Sequence, residues 1–314
     1  MDYIFGYVSI FISVGFGIIK GFGSKKVSAS VKTLRDNLDI SLFRNIICSI
    51  FSLIIVLLLK NPDLKVGLIE IVISAIAGIS MAIFISSWIF AIKSDSYMLV
   101  SACASSSFIV PAVIGIFFLN EKLSPSKVIA FIIIVISLFF LLKYNTKLNG
   151  KIKFKTLLLL ATVLLSQGVN QSMQKFFTNY SEKDISYYTF YSAIFTVLAI
   201  IAIYPFTKKD KTEKEASVLL NKKILFYATL MAIALFGNSY FMTLASKKVD
   251  AIILYPIANA LSLGGSSAMS SIFFGEKMNR DSVIGVLLVF ISLLFISLET
   301  YINSYFYQLI NLIF

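Results

Sequence analysis

The sequence predicts an all-α integral membrane protein, with ten transmembrane helices arranged as two inverted five-helix repeats. Three observations carry that expectation. The 314 residues are 58% hydrophobic and only 14% charged, with a mean hydropathy of +0.88, whereas soluble domains are about 25% charged. The apolar residues fall into runs of roughly 18–25, enough to cross a ~30 Å hydrocarbon layer as helix. One phrase also occurs twice: Phe118-Leu119-Asn120-Glu121-Lys122-Leu123 returns 155 residues later as Phe273-Phe274-Gly275-Glu276-Lys277-Met278, and an apolar run follows each copy. The same offset pairs Lys20 with Lys175 and Asp95 with Asp250.

In chain order the expected spans are 3–22, 40–59, 67–91, 97–119, 126–142, 154–177, 185–206, 223–246, 250–274 and 281–299. Each is read as helix, because a lone strand in lipid leaves its backbone groups unpaired. Connections such as Lys93-Ser94-Asp95-Ser96 and Lys247-Lys248-Val249 force antiparallel neighbours. Residues 23–39 and 207–222 are polar loops with room for short surface helices, and 143–153 joins the halves. The repeats are thus 1–145 and 146–300, with an aromatic tail at 301–314. Five spans per half is odd, so the second half enters the membrane from the opposite side.

The net charge of +12 sits in the short polar gaps, where Lys anchors helices at headgroups and sets topology; nucleic-acid binding is not expected. Of the 28 Lys and Arg, 18 lie in one set of alternating connections and 7 in the other, which by charge bias puts both termini outside. Cys48 and Cys103 lie within apolar runs, so neither a structural disulfide nor a metal site is expected. The chain has no His and no acidic cluster within a span. That argues against a membrane-embedded transferase. No cofactor is expected.

Polar residues inside the spans are the candidate site. Lys20 and Lys175 fall late in the first span of each half; an ammonium in lipid costs about 2.5–3.5 kcal/mol at mid-depth. Either they face a central cavity and suit an anionic or zwitterionic solute, or they snorkel to the headgroups. Arg44, a few residues into the second span, is placed to meet an acid at a neighbouring helix end; topology or structure is the simpler reading, and substrate contact is the alternative. Gln167, Asn170, Gln171 and Gln174 recur at i, i+3, i+4, i+7 and share one helix face. Four amides do not belong against lipid, so that face lines either a wet cavity or a helix seam. Trp88, Asn238, Tyr255 and Asn259 are further candidates for the same wall. Pro111 and Pro256 are kinks or flex points. Glu121-Lys122 and Glu276-Lys277 sit at span ends, where structural pairing is the simpler reading. No carboxylate lies deep in a span, which disfavours a cationic drug as substrate.

Ten spans, two halves of five and a Glu-Lys phrase closing spans four and nine resemble the drug/metabolite transporter superfamily, in its EamA-type branch. The phrase stands as Phe118-Leu-Asn-Glu121-Lys122-Leu, then a polar step and Ala130, and again as Phe273-Phe-Gly-Glu276-Lys277-Met, then Gly285. Arg44 follows Phe43, where the family often places an Arg after a Phe. The first span lacks the early Trp common in the family. The resemblance implies a plasma-membrane carrier of a small metabolite, most often an exporter of amino acids or related compounds, working by alternating access. It also implies cytoplasmic termini, against the charge bias. A coupling ion (H+ or Na+) and a homodimer are compatible with the sequence. A lipid or lipid-phosphate flippase of the same architecture is the alternative.

Overall fold

A computed structural model describes residues 2–59, 62, 64–94, 97–118, 124–149, 154–207, 218–249, 251–275 and 279–297. The two Glu-Lys phrases, Asp95, Asp250, most of the 207–222 loop and the 301–314 tail lie outside them. Among the described residues there are helices and no strand. They are α1 (Asp2–Ser28), α2 (Leu34–Leu57), α3 (Leu68–Ser94), α4 (Tyr97–Ser105), α5 (Ile109–Phe118), α6 (Pro125–Asn149), α7 (Phe154–Tyr180), α8 (Ile185–Ile203), α9 (Lys222–Lys248), α10 (Ala251–Phe274) and α11 (Arg280–Ser297).

Two helices run well past their expected ends. The 23–39 loop shrinks to a few residues because α1 continues to Ser28 and α2 begins at Leu34. A reciprocal cap starts α2: Thr33 Oγ1 accepts from the Asp36 N–H at 3.2 Å, and Asp36 Oδ2 accepts from the Thr33 N–H at 2.9 Å. Two of the helix's orphan donors are satisfied at once. Lys93 Nζ then donates to Val31 O at 2.5 Å and Lys25 Nζ to Ile92 O at 3.0 Å, tying this corner to the end of α3.

The fourth expected span is not one helix. It breaks between α4 and α5 at a single 3-10 turn, Ser106–Phe108. Pro111 explains the position: it has no N–H to give Ser107, four residues back, and its ring crowds that carbonyl. Pro256 leaves α10 unbroken.

Among the described residues, five helical stretches are long and apolar enough to cross a membrane: Phe5–Ser28, Leu34–Leu57, Leu68–Lys93, Ile185–Phe206 and Lys222–Lys248. Their outer faces are apolar. Phe5, Phe11, Leu57, Leu68 and Phe226 are all exposed, as expected of a surface wetted by acyl chains rather than water. The interior is rich in small polar residues, with Ser13, Ser41, Ser52, Ser106, Ser107 and Ser186 fully buried. Many turn the hydroxyl onto the carbonyl four residues back, as Ser52 does to Cys48 and Ser172 to Gly168. Small residues also let helices approach closely. A Cβ on Gly78 would stand 2.7 Å from the Thr196 backbone nitrogen, and one on Gly168 2.7 Å from Ser107 O. The main packing pairs are α1 with α9, α3 with α7, α6 with α11, and α8 with both α2 and α3.

Candidate functional site

The interior holds a cavity of about 160 Å³, well above the roughly 10–15 Å³ that a single water needs. Its wall draws on helices from both ends of the chain: α1, α2, α3 and α4, and α7, α8, α9 and α10. Three kinds of surface meet there.

The first is cationic. Lys20 is on α1 and Arg44 on α2, and both line the cavity. Lys20 Nζ reaches Asn238 Oδ1 at 3.4 Å, a long hydrogen bond. Arg44 is only 2% exposed, and its Nη1 faces Met231 Sδ at 4.0 Å. Its Nε and Nη2 have no hydrogen-bond partner. An orphaned buried guanidinium is costly, because desolvation is not repaid by a partner. Among the described residues no Asp or Glu lines the cavity. The expected meeting of Arg44 with an acid at a helix end is therefore not found among the described residues; the other charged residue of its wall is the cation Lys20. The reason lies in the start of α2. Six residues earlier than expected, it leaves Arg44 about 15 Å along the axis from the helix start, instead of near its rim.

The second surface is a network of amides. Gln171 Nε2 donates to Asn259 Oδ1 at 3.2 Å and its Oε1 accepts from Ser107 Oγ at 3.1 Å. Asn259 Nδ2 passes the chain on to Ser105 O at 2.8 Å. The residues at the edge of the 3-10 break thus meet α7 and α10. Gln174 Nε2 donates to Thr243 Oγ1 at 2.8 Å. Asn170 Nδ2 donates to Ala77 O at 3.3 Å. Asn238 Nδ2 donates to Ser13 O and Oγ at 2.9 and 3.0 Å, pinning α9 to α1. The amide face of α7 therefore does both things offered for it: it lines the cavity and forms a helix seam. The third surface is aromatic. Trp88 packs on Phe84, with ring centroids 5.5 Å apart, and edge-on to Tyr97 at 6.0 Å.

Of the sequence-derived candidates, Lys20, Trp88, Gln167, Asn170, Gln171, Gln174, Asn238 and Asn259 line this cavity. Lys175 and Tyr255 stand outside the lining. Lys175 Nζ donates to Ser246 O at 3.2 Å on α9. Tyr255 is buried behind the amides, its hydroxyl donating to Gln171 O at 2.7 Å. Sequence reasoning passed over Ser101, Thr189 and Cys48, which also line the wall. Hydroxyls within an apolar run give no signal of their own. Ser101 Oγ and Thr189 Oγ1 are buried without a hydrogen-bond partner, unlike the back-bonded hydroxyls elsewhere. Cys48 and Cys103 are buried and not joined in a disulfide, and no group of residues that could hold a metal occurs among the described residues.

Comparison with known proteins adds a family likeness. A model of the EamA-like transporter family matches residues 4–143, the first part of the chain. None of the curated proteins matches the sequence. Among solved structures, one described only as "Crystal structure of protein" aligns over 95% of this chain and 96% of its own, with a TM-score of 0.62 at 10% identity. That likeness shows a shared fold. The apolar helices indicate a multi-pass membrane protein, and residues 4–143 are similar to a family of transporters.

Proposed function

We propose that the protein is a secondary carrier that moves a small anionic or zwitterionic metabolite, amino-acid-like in size, outward across the plasma membrane by alternating access. The observation that carries this reading is the cavity: a polar chamber, lined from both halves of the chain, inside a molecule whose outer surface is apolar. Lys20, Trp88, Gln167, Asn170, Gln171, Gln174, Asn238 and Asn259 face the solute in this reading. Lys175 and Tyr255 support the wall from behind.

The moving parts are two inverted repeats of five spans, residues 1–145 and 146–300. With α4 and α5 counted as one broken span, the packing pairs support this division. Advancing every span by five turns α1 with α9 into α7 with α3, and α2 with α9 into α8 with α3; all four pairs occur. The pairs α2 with α8, α6 with α11 and α4 with α10 map onto themselves and also occur. A pseudo-two-fold axis in the membrane plane produces this pattern, and rocking one half on the other exposes the shared cavity to each side in turn. Binding energy differing between the two states drives the cycle, either on the substrate's own gradient or by coupling to H+ or Na+.

Flux into proteoliposomes, measured across amino acids, nucleosides, sugars and organic anions, tests the reading. At least one small polar solute is expected to cross. Ala104→Trp, which plugs the cavity wall, is expected to stop it while the protein still runs as a monodisperse species. Flux untouched by the plug would overturn the proposal.

A further inference from the structure

We propose that the wall at Arg44 is an oxyanion seat, which takes a small soluble ligand of net negative charge by its carboxylate or phosphate group. The inference deepens the carrier reading and rests on it for how the ligand reaches the cavity. Arg44 Nε and Nη2 form the edge of the guanidinium that grips two oxygens at once, and both are buried without a partner. Two hydroxyls on the same wall, Ser101 Oγ and Thr189 Oγ1, are unpartnered as well. Donors are therefore left open on this wall, and the acceptor they lack has to come from outside the chain.

Charge gives the sign. Lys20 and Arg44 are the charged residues of the lining, and no acidic side chain opposes them among the described residues. A zwitterion would bring an ammonium into the same space. Of the amide oxygens on the wall, those of Gln171, Asn238 and Asn259 already accept from Ser107, Lys20 and Gln171 respectively. An extra positive charge beside two others in a low-dielectric wall is opposed, and a negative one is drawn in. Apolar matter has its own place at Phe84, Trp88 and Tyr97. The ligand class is a small carboxylate or phosphate ester of net negative charge, with a compact apolar part tolerated at the far end.

Cys48 supplies the test. It lies one helical turn from Arg44 and lines the cavity, whereas Cys103 does not. In the Cys103→Ser protein, held in detergent micelles, Cys48 is labelled with the anionic sulfonatoethyl methanethiosulfonate and, separately, with the cationic trimethylammonioethyl reagent. The anion-to-cation rate ratio, divided by the same ratio for a free thiol, is expected to exceed about 10. Arg44→Gln is expected to bring it down about tenfold. A ratio at or below that of the free thiol overturns the seat and needs no Arg44 variant to do so. Protection of Cys48 then identifies the source: succinate or inorganic phosphate is expected to slow labelling at concentrations where alanine does not. Protection by alanine alone, or only by vesicles of phosphatidylglycerol, overturns a soluble net-anionic ligand. If the anion preference holds but no solute crosses in the liposome assay, the carrier reading fails and the seat stands. If solutes cross but the cation reagent wins, the seat fails and the carrier stands.

Discussion

Lys20 and Lys175 occupy matching places in a duplicated sequence, yet they do different work. Lys20 lines the cavity beside Asn238; Lys175 turns to the Ser246 carbonyl on a neighbouring helix. The length of helix beyond each differs. α1 continues to Ser28, about 12 Å past Lys20, while α7 stops at Tyr180, about 7.5 Å past Lys175. The rest of the wall is divided the same way. The cations Lys20 and Arg44 come from the first half. The first half also gives the amide Asn45, while Gln167, Asn170, Gln171, Gln174, Asn238 and Asn259 come from the second. At the 155-residue offset these six correspond to Ile12, Gly15, Phe16, Ile19, Ile83 and Ala104, none of them hydrogen-bonding through its side chain. Charge enters this wall from the first half of the chain, and most of its amides enter from the second.

Removing the charge should break this division most severely. Arg44→Gln deletes the guanidinium without a large change in volume. Flux of the best-carried solute is expected to fall about 100-fold, the scale of a charge-assisted hydrogen-bonded contact. Arg44→Lys keeps the charge but loses the two-pronged edge and should recover only part of that loss. Equal flux in all three proteins would move the charged side of the wall elsewhere. The amide side should fail differently. Gln171→Leu strands Ser107 Oγ and Asn259 Oδ1, and burying such groups unpaired costs about 1–3 kcal/mol. Its signature is a lower thermal midpoint in detergent together with reduced flux. A variant that lost flux with no change in midpoint would make Gln171 a ligand contact rather than part of a frame. Lys175→Gln is the mildest change, with flux expected to stay within about twofold, because Lys175 stands outside the cavity lining.

The sequence carried the membrane class and the helical rhythm clearly, because apolar runs of that length have few other readings. The amide stripe on α7 was legible for a similar reason: four amides at helical spacing cannot all face acyl chains, and all four line the cavity. The place of Arg44 in the cavity wall was not legible, because it depends on where α2 starts. The Thr33–Asp36 cap sets that start inside a stretch polar enough to pass for loop. The break at Ser106–Phe108 was hidden for a related reason. Pro111 marks a disturbance, but whether a proline bends or breaks a helix depends on its surroundings, and Pro256 sits in an unbroken one. The unpartnered hydroxyls of Ser101 and Thr189 had no sequence signature. Whether a hydroxyl bonds back to its own helix or is left open is decided by packing.

The division of labour stands or falls on one paired measurement. Lys20→Gln and Lys175→Gln are put through the same liposome flux assay, each normalised to the amount of folded protein. Flux is expected to fall about tenfold or more for Lys20→Gln and to change little for Lys175→Gln. Equal losses from the two, or a larger loss from Lys175→Gln, would contradict a wall whose charge comes from the first half alone.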